Sequence, residues 1–391
     1  MGRNTKLIWV DNSFPHQSPF LMNKYEGLSK VLHGILIHSG KAKPKESKIE
    51  TIRIASSKIG LILLFILKLL LRPIKVINFI KTGKKYIGND IYVKAIVDNA
   101  FIGIKADIIH FEFGTLAIGK TYLKHILDCK LIVSFRGYDI NYFALENKTV
   151  FSEIWEEADL VHFLGNDLRN RAIVRGCPEN INYCLISPAI DLTLFTPKLI
   201  HDYNMSQNSV KIISIGRLTW KKGYEYGLKA IQLLISKGLD IEYTIIGEGN
   251  YREAILFCIN ELKLTKNVKL FGHISQSEIV NHLKQADIFL HSAVSEGFCN
   301  AVIEAQAIGL PIVCTNADGL IENIDEGLTG FSVPTYDSLA LASKLEILIK
   351  SPEKRRKMGQ DAVMRANNLY SIEKQISSFS IEYDKLIKSA I

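Results

Sequence analysis

Two glutamates, Glu296 and Glu304, stand eight positions apart in the segment SEGFCNAVIEAQAIGLP (295–311). The run IFLHS (288–292) before them is typical of a buried strand, and NAVIEAQAIG has helical spacing. A helix that starts directly after a strand directs backbone N–H groups and the positive end of its dipole toward an anion, and Gly297 lets that backbone come close. The pattern indicates a phosphate at the turn and a sugar diol bound by Glu304. Alternatively, one acid only favours the helix dipole and the other is an ordinary surface glutamate.

A second segment, SIGRLTWKKGYEYGLKAI (214–231), has cations where a strand gives way to a helix. The strand ends in Gly216, Arg217 follows it, and Lys221 and Lys222 stand where the helix opens. A guanidinium can bind a phosphate with two parallel hydrogen bonds, and an ammonium adds a mobile point charge. These residues predict an anion clamp, although lysines at helix starts are often only solvated.

The elements that must position these side chains are short β-branched apolar runs that alternate with amphipathic segments. This alternation predicts parallel sheets covered by helices on both faces, that is, an α/β fold of two tandem doubly wound Rossmann-like domains facing a cleft. The predicted strands are 6–10, 107–111, 130–135, 160–164, 182–187, 211–216, 242–247, 268–272, 288–292 and 311–315.

The predicted organisation has two domains, as 391 residues suggest. Residues 1–195 form the N-terminal domain and 210–370 the C-terminal domain, with the polar, aperiodic stretch 196–209 as the linker. The last segment, 371–391, is amphipathic and is predicted to be a helix that crosses back to the N-terminal domain.

Four motifs of the C-terminal half together resemble a known family. They are GRLTWKKG, FGHIS (271–275), SEGFCNAVIEA and GLPIVCTNADG (309–319), and their order resembles the retaining, nucleotide-sugar-dependent glycosyltransferases of family 4, which have the GT-B fold. The resemblance implies that Arg217, Lys222 and Glu296 are the catalytic residues, the first two on the donor diphosphate and Glu296 on the donor sugar. It implies a donor-binding set made of Gly216, His273, Ile274, Gly297, Phe298, Cys299, Asn300 and Glu304, with Glu304 on the ribose and the main chain near His273 and Ile274 on the base.

The N-terminal half resembles a branch of the family that makes bacterial surface polysaccharides, through FPHQSPFLMNKYEGLSK (14–30), IHFEFGT (109–115) and SFRGYDI (134–140). The acceptor-side residues implied by this likeness are His110, Glu112, Arg136 and Asp139. His110 and Glu112 could instead be a structural pair. The family often has a histidine where this chain has Arg136, and an arginine cannot serve as a general base near neutral pH.

The charge of the chain is concentrated in one region. The net charge is +8, and residues 41–94 alone hold 13 basic and 3 acidic side chains, which suggests an anionic partner. Within this region the apolar run IGLILLFILKLLLRPIKVINFI (59–80) includes Lys68 and is too short to span a bilayer. We predict either a buried helix of the N-terminal domain or a helix that lies in the plane of a membrane.

The predicted function is transfer of a hexosyl group, with retention, from a nucleoside diphosphate sugar to a glycan or lipid-linked glycan acceptor in bacterial exopolysaccharide, capsule or lipopolysaccharide synthesis. No cofactor and no metal are expected, because the chain has no D-x-D motif. Scattered cysteines and the lack of a signal peptide predict a cytoplasmic protein. The basic apolar segment predicts that it is peripheral on the inner face of the cytoplasmic membrane.

Three other function classes were weighed against this prediction. A nucleotide-sugar epimerase of the same fold is the alternative, although no acid/base set for it is evident. The basic segment lacks the interleaved aromatics of a nucleic-acid binder, so no nucleic-acid partner is expected. A Rossmann oxidoreductase is disfavoured because no G-x-G-x-x-G follows the first strand.

Overall fold

The computed structural model describes residues 5–11, 19–39, 49–198 and 209–388. The chain forms two compact units, Met1–Ser187 together with Gln375–Ile391, and Pro188–Lys374. The second unit therefore begins before the predicted linker, since Phe195 is buried in its core and the Lys198 ammonium donates to Ala286 O (2.8 Å). Residues 199–208 of that linker lie outside the described residues.

The first unit is built on a parallel sheet whose strand order is β3-β2-β1-β4-β5-β6-β7. Its strands are β1 (Lys6–Asp11), β2 (His33–His38), β3 (Glu50–Arg53), β4 (Ile108–Phe111), β5 (Lys130–Phe135), β6 (Leu160–Phe163) and β7 (Tyr183–Leu185). Its helices are α1 (Pro19–Ser29), α2 (Lys58–Leu71), α3 (Pro73–Ile87), α4 (Ile91–Val97), α5 (Gly114–Ala117), α6 (Leu123–Leu127), α7 (Gly137–Asn141), α8 (Ser152–Glu157) and α9 (Asn166–Val174).

The second unit has a parallel sheet of order β10-β9-β8-β11-β12-β13. Its strands are β8 (Val210–Ile215), β9 (Ile241–Ile246), β10 (Val268–Phe271), β11 (Ile288–His291), β12 (Ile312–Thr315) and β13 (Gly330–Val333). Its helices are α10 (Tyr224–Ser236), α11 (Arg252–Glu261), α12 (Gln276–Gln285), α13 (Asn300–Ile308), α14 (Ser338–Lys350) and α15 (Pro352–Leu369). The last helix of the chain, α16 (Ile372–Lys388), belongs to the first unit from Gln375 onward.

Both faces of each sheet are covered, which explains the nearly continuous apolar strands. In β8, Ile212 packs with the core cluster that contains Leu228 of α10, whereas the next residue, Ile213, packs with the cluster that contains Ile303 of α13. In the first unit, Phe379 and Tyr383 of α16 complete the core. The predicted doubly wound α/β class is thus what the structure shows.

The structure of the apolar run 59–80 differs from the prediction of a buried helix. The run is divided between α2 and α3 because Pro73 opens the second helix. None of the residues of α2 is buried, so the expectation of a core helix is wrong for this segment. Among the described residues, no helix is long and apolar enough to cross a membrane.

Candidate functional site

The predicted donor residues gather at the point where the second sheet reverses its strand order. The chain moves outward from β8 to β9 and β10 and then returns to the other side of β8, where β11 pairs with it. In open α/β sheets, ligands bind in the crevice beyond the carboxyl ends of the two strands at such a point. Gly216 and Arg217 follow β8, and Glu296 follows β11, so the fold brings the two motifs to this crevice.

Backbone contacts join the two loops that carry these residues. The N–H groups of Val294 and Ser295 donate to Lys221 O at 2.8 and 3.3 Å. Gly223 has a positive φ of 56°, and a Cβ there would lie 2.3 Å from Ser292 O. Any other residue would therefore strain the turn and push the two loops apart.

The joined loops form a polar centre around Lys222. Its ammonium makes an ion pair with Glu296, which also lies 3.4 Å from the ring nitrogen Nε2 of His291. Burial alone would raise the pKa of Glu296, but Lys222 and His291 favour its charged form and lower this pKa to about 2. Burial opposes the charge on Lys222, yet Glu296 keeps the pKa of this ammonium above its usual value. Both groups are therefore ionised near neutral pH.

Two further cations lie near this pair. The charge of Arg217 acts on both Lys221 and Lys222, and together with burial it lowers the pKa of Lys221. Arg217 is exposed, and its guanidinium makes no hydrogen bond or ion pair with the described residues. Arg217, Lys221 and Lys222 thus form a cluster of cations around the Lys222–Glu296 pair. A cluster of this kind suits an anion.

The turn before α13 offers backbone donors beside these cations. Asp318 accepts from the N–H of Glu296 at 3.1 Å and from the Ser295 hydroxyl, and so anchors the turn. Among the described residues, the N–H groups of Gly297, Phe298 and Asn300 have no acceptor.

Cys299 differs from its neighbours in this turn. Its N–H donates to the side-chain oxygen Oδ1 of Asn323 at 3.2 Å, and its thiol lies 3.5 Å from the His291 ring. Cys299 is therefore engaged inside the protein, and the donors that remain in this predicted set belong to the residues on either side of it.

Glu304 lies on the second turn of α13 with its carboxylate unpartnered. No described residue gives it a hydrogen bond or an ion pair, and burial raises its pKa to about 7. The Glu304 side chain is only partly exposed, and a carboxylate withdrawn from water is normally paired. A carboxylate without a protein partner at the edge of the crevice is well suited to accept hydrogen bonds from ligand hydroxyls.

His273 and Ile274 lie in the loop between β10 and α12, at the carboxyl end of the sheet's outermost strand on that side. This is the same edge of the sheet as the cations, two strands away from β8. His273 is exposed and Ile274 is partly buried.

Among the described residues, His291, Glu296 and Cys299 form a group whose types and spacing could hold a metal, with ligand atoms within 4.8 Å of one another. The Lys222 ammonium already forms an ion pair with the same carboxylate, and its charge would repel a divalent cation. The group is better explained as support for the Lys222–Glu296 pair.

In the first unit, the predicted acceptor-side residues come together in a buried network. Glu112 is fully buried between two cations, with Lys24 Nζ at 2.5 Å and the guanidinium of Arg136 at 3.0 Å. Burial lowers the pKa of Lys24 to about 8 even though Glu112 opposes this shift. The carboxylate is saturated by protein partners, which favours a structural role for Glu112.

His110 and Asp139 are also fully buried and bonded. The ring of His110 bonds to the hydroxyls of Tyr383 (2.8 Å) and Ser134 (2.7 Å). Asp139 accepts from the N–H groups of Thr115 and Arg136 and caps α7. Neither side chain presents a polar atom to a ligand in this arrangement, so the structural alternative is favoured for both.

Sequence reasoning missed three residues of these centres: Lys24, His291 and Asp318. Lys24 is 88 positions from its partner Glu112, and no local sequence pattern predicts a contact over that separation. His291 lies in the predicted strand 288–292, and Asp318 lies in a quoted motif. The signal for these two was their place at the carboxyl ends of β11 and β12.

Residues 196–364 match the sequence profile of the family described as Glycosyl transferases group 1. The amylovoran biosynthesis glycosyltransferase of Erwinia amylovora is 31% identical over 247 residues, which are 61% of this chain and 60% of that protein. The capsular polysaccharide biosynthesis glycosyltransferase of Staphylococcus aureus is 29% identical over 199 residues, 49% of this chain and 51% of that protein. The chain thus matches between half and two thirds of the length of these relatives, and their names give no support to the epimerase alternative.

A solved structure of the Anabaena protein HepE in complex with UDP and glucose is similar over 98% of this chain and 100% of that one. The TM-score is 0.76 at 16% sequence identity. This likeness confirms the predicted GT-B class of fold with its Rossmann-like units.

Proposed function

We propose that this protein is a retaining glycosyltransferase that moves a hexosyl group from a nucleoside diphosphate sugar to a glycan or lipid-linked glycan. The observation that carries the proposal is the site at the reversal of the second sheet. A cluster of cations lies around the Lys222–Glu296 ion pair, and Glu304 has no partner among the described residues. The relatives named for exopolysaccharide and capsule biosynthesis support a role in bacterial surface polysaccharide synthesis. Lipopolysaccharide synthesis is a related setting for the same reaction.

On the donor side, Arg217 and Lys222 bind the diphosphate, and the N–H groups of Gly297 and Phe298 point toward it. As the bond between the sugar's anomeric carbon and the phosphate oxygen breaks, negative charge grows on the leaving diphosphate. Cations and N–H dipoles that are already in place stabilise this charge in the transition state without reorganisation. Glu296 contacts the hydroxyls of the transferred sugar, and Glu304 accepts from the ribose diol.

The acceptor hydroxyl forms the new bond to the anomeric carbon, and its proton passes to an oxygen of the departing diphosphate. This front-face route needs no protein base. It agrees with the presence of Arg136, which cannot take a proton near neutral pH and whose guanidinium is bound to Glu112. We place the acceptor on the first unit, in a protein that works without a metal at the inner face of the cytoplasmic membrane.

The proposal is tested by incubating the protein with a panel of labelled nucleoside diphosphate sugars and lipid extracts that contain polysaccharide precursors. We expect one donor to yield a labelled glycan and free nucleoside diphosphate, at the same rate with and without EDTA. An isomerised nucleotide sugar without transfer would establish the epimerase instead. Loss of all transfer in EDTA would refute the metal-independent mechanism.

Replacing Glu304, whose carboxylate has no partner among the described residues, is expected to raise the stability of the fold and to weaken donor binding. The pKa of Glu304 in the folded protein, about 7, lies above its ordinary value of 4.5. Between these values the folded state binds more protons than the unfolded state, so this group makes the free energy of unfolding fall as pH rises through that window. At about pH 8, Glu304→Gln removes the buried charge and is expected to raise the melting temperature by about 2 °C or more.

The same substitution is expected to weaken donor binding about tenfold or more, because the diol loses a charged acceptor. It should also abolish the release of protons on binding near pH 7, which calorimetry in buffers of different ionisation enthalpy measures. The matched control is Glu261→Gln, a change of the same type at the end of α11 and outside this site. A variant of Glu304 that lowers the melting temperature and leaves donor affinity intact would assign the residue to the fold.

A further inference from the structure

The helix α2 lies on the first unit with its apolar side chains directed to solvent. The less exposed residues of α2 are Gly60, Leu61, Phe65 and Lys68, and the last three lie on one face of the helix. The large apolar residues exposed on α2 are Ile59, Ile62, Leu63, Leu64, Ile66, Leu67, Leu69, Leu70 and Leu71.

Polar contacts hold the helix in this orientation. The Lys68 ammonium donates to the main-chain oxygen of Asn99, and the side-chain amide of Asn99 donates to Leu61 O at 3.3 Å. Because Asn99 is buried, these bonds attach one face of α2 to the body of the unit. The leucines on the other faces cannot turn inward without breaking them.

The next helix, α3, extends the exposed apolar surface. Val76 and Phe79 of α3 are buried, whereas its residues Ile74 and Ile77 are largely exposed. A soluble monomer rarely leaves so many large apolar residues together in water, and such a patch normally marks an interaction surface.

The charges around this patch indicate its partner. Residues 51–89 contain no acidic side chain, and their basic residues are Arg53, Lys58, Lys68, Arg72, Lys75, Lys81, Lys84 and Lys85. All of these except Lys68 are exposed. A second copy of this chain docked on the patch would bring two such basic sets together, which is unfavourable. An anionic lipid surface would satisfy both the leucines and the cations.

We propose that α2 and the start of α3 form a membrane-docking surface that lies in the plane of an anionic bilayer. The leucines of α2 enter the region between headgroups and acyl chains, and the basic side chains meet lipid phosphates. With 14 residues, α2 spans only about 21 Å, less than the roughly 30 Å of a hydrocarbon core. The inference rests on the first unit alone and does not depend on the donor site.

Sedimentation with vesicles tests this inference. We expect the protein to sediment with phosphatidylglycerol vesicles at low salt, to bind phosphatidylcholine vesicles more weakly, and to be partly released by high salt. The double variant Leu63→Glu/Leu70→Glu should lower the partition coefficient between water and vesicles about 100-fold or more. Two leucines that enter the bilayer in the wild type are then replaced by charged side chains.

The matched control is Leu328→Glu/Leu339→Glu. These leucines are 58% and 72% exposed, close to the 60% and 74% of Leu63 and Leu70, but they lie in the second unit. The control should bind vesicles as the wild type does, and circular dichroism melts should show that both variants fold.

Two outcomes would overturn the inference. One is the absence of binding to anionic vesicles at low salt, or equal binding by the wild type and the Leu63→Glu/Leu70→Glu variant. The other is a dimer that light scattering detects without lipid and that this variant dissociates, because a second copy would then cover the patch.

Discussion

Replacing Lys222 with alanine is expected to lower the turnover number by about two orders of magnitude or more, the usual effect of removing one group that stabilises charge in the transition state. The ammonium is ion-paired with Glu296 and partly buried, so water cannot take its place at full strength. Arg217→Ala should have an effect of the same order. Steady-state rates with the donor found in the transfer assay measure both.

The control for Lys222 is Lys229→Ala, which removes an exposed lysine of α10 whose ammonium donates to the side chain of Gln232. Lys222→Arg keeps the charge and should recover part of the rate. Turnover within about threefold of wild type in Lys222→Ala would contradict its assigned role, provided that the variant melts near the wild-type temperature.

The largest expected effect on stability follows from Glu112→Gln in the first unit. This substitution removes the charge of the one carboxylate that, among the described residues, bonds to both Lys24 and Arg136, and Lys24 loses its ion-pair partner in a buried network. Breaking a buried ion pair from one side costs about 3–5 kcal/mol of the free energy of unfolding. Urea unfolding followed by tryptophan fluorescence measures it, because Trp9 and Trp155 are buried in this unit.

Two controls accompany this experiment. Lys24→Met leaves the pair of Glu112 with Arg136 intact and should cost less than Glu112→Gln. Asp167→Ala breaks the partly exposed pair with Arg171 and should cost about 1 kcal/mol or less. A stable Glu112→Gln protein that loses only acceptor binding would restore the acceptor role for this residue.

Much of the fold was predictable because parallel strands buried on both faces are nearly continuous apolar runs. Ten strands were expected in the right places, and Lys130–Phe135 has the predicted bounds. The missed strands were β2, β3 and β13. Of these, β3 is a short polar strand at the edge of its sheet with no buried residue. Such strands depend on pairing with a neighbour more than on their own sequence.

The residues of the donor site could be predicted from the sequence, but the ion pairs among them could not. Loop position after a strand identifies Arg217 and Glu296 as crevice residues, but the ion pair of Lys222 with Glu296 joins residues 74 positions apart. The acceptor-side residues show the same limit, because Lys24, the partner of Glu112, lies far from it in the sequence on α1. For α2 the pattern was ambiguous, because a helix that is apolar all round suits both a core and a membrane. The exposure of its side chains, which the sequence does not give, excludes the core helix.

Calorimetric titration of the protein with UDP-, GDP- and ADP-sugars tests the central claim most directly, namely that the cations, the turn before α13 and Glu304 bind one nucleotide sugar. We expect one donor to give a saturable heat with one site per chain, and Lys222→Ala and Glu304→Gln to weaken that binding while Lys229→Ala does not. Absence of saturable heat with every nucleotide sugar, or equal affinity in all three variants, would contradict the claim.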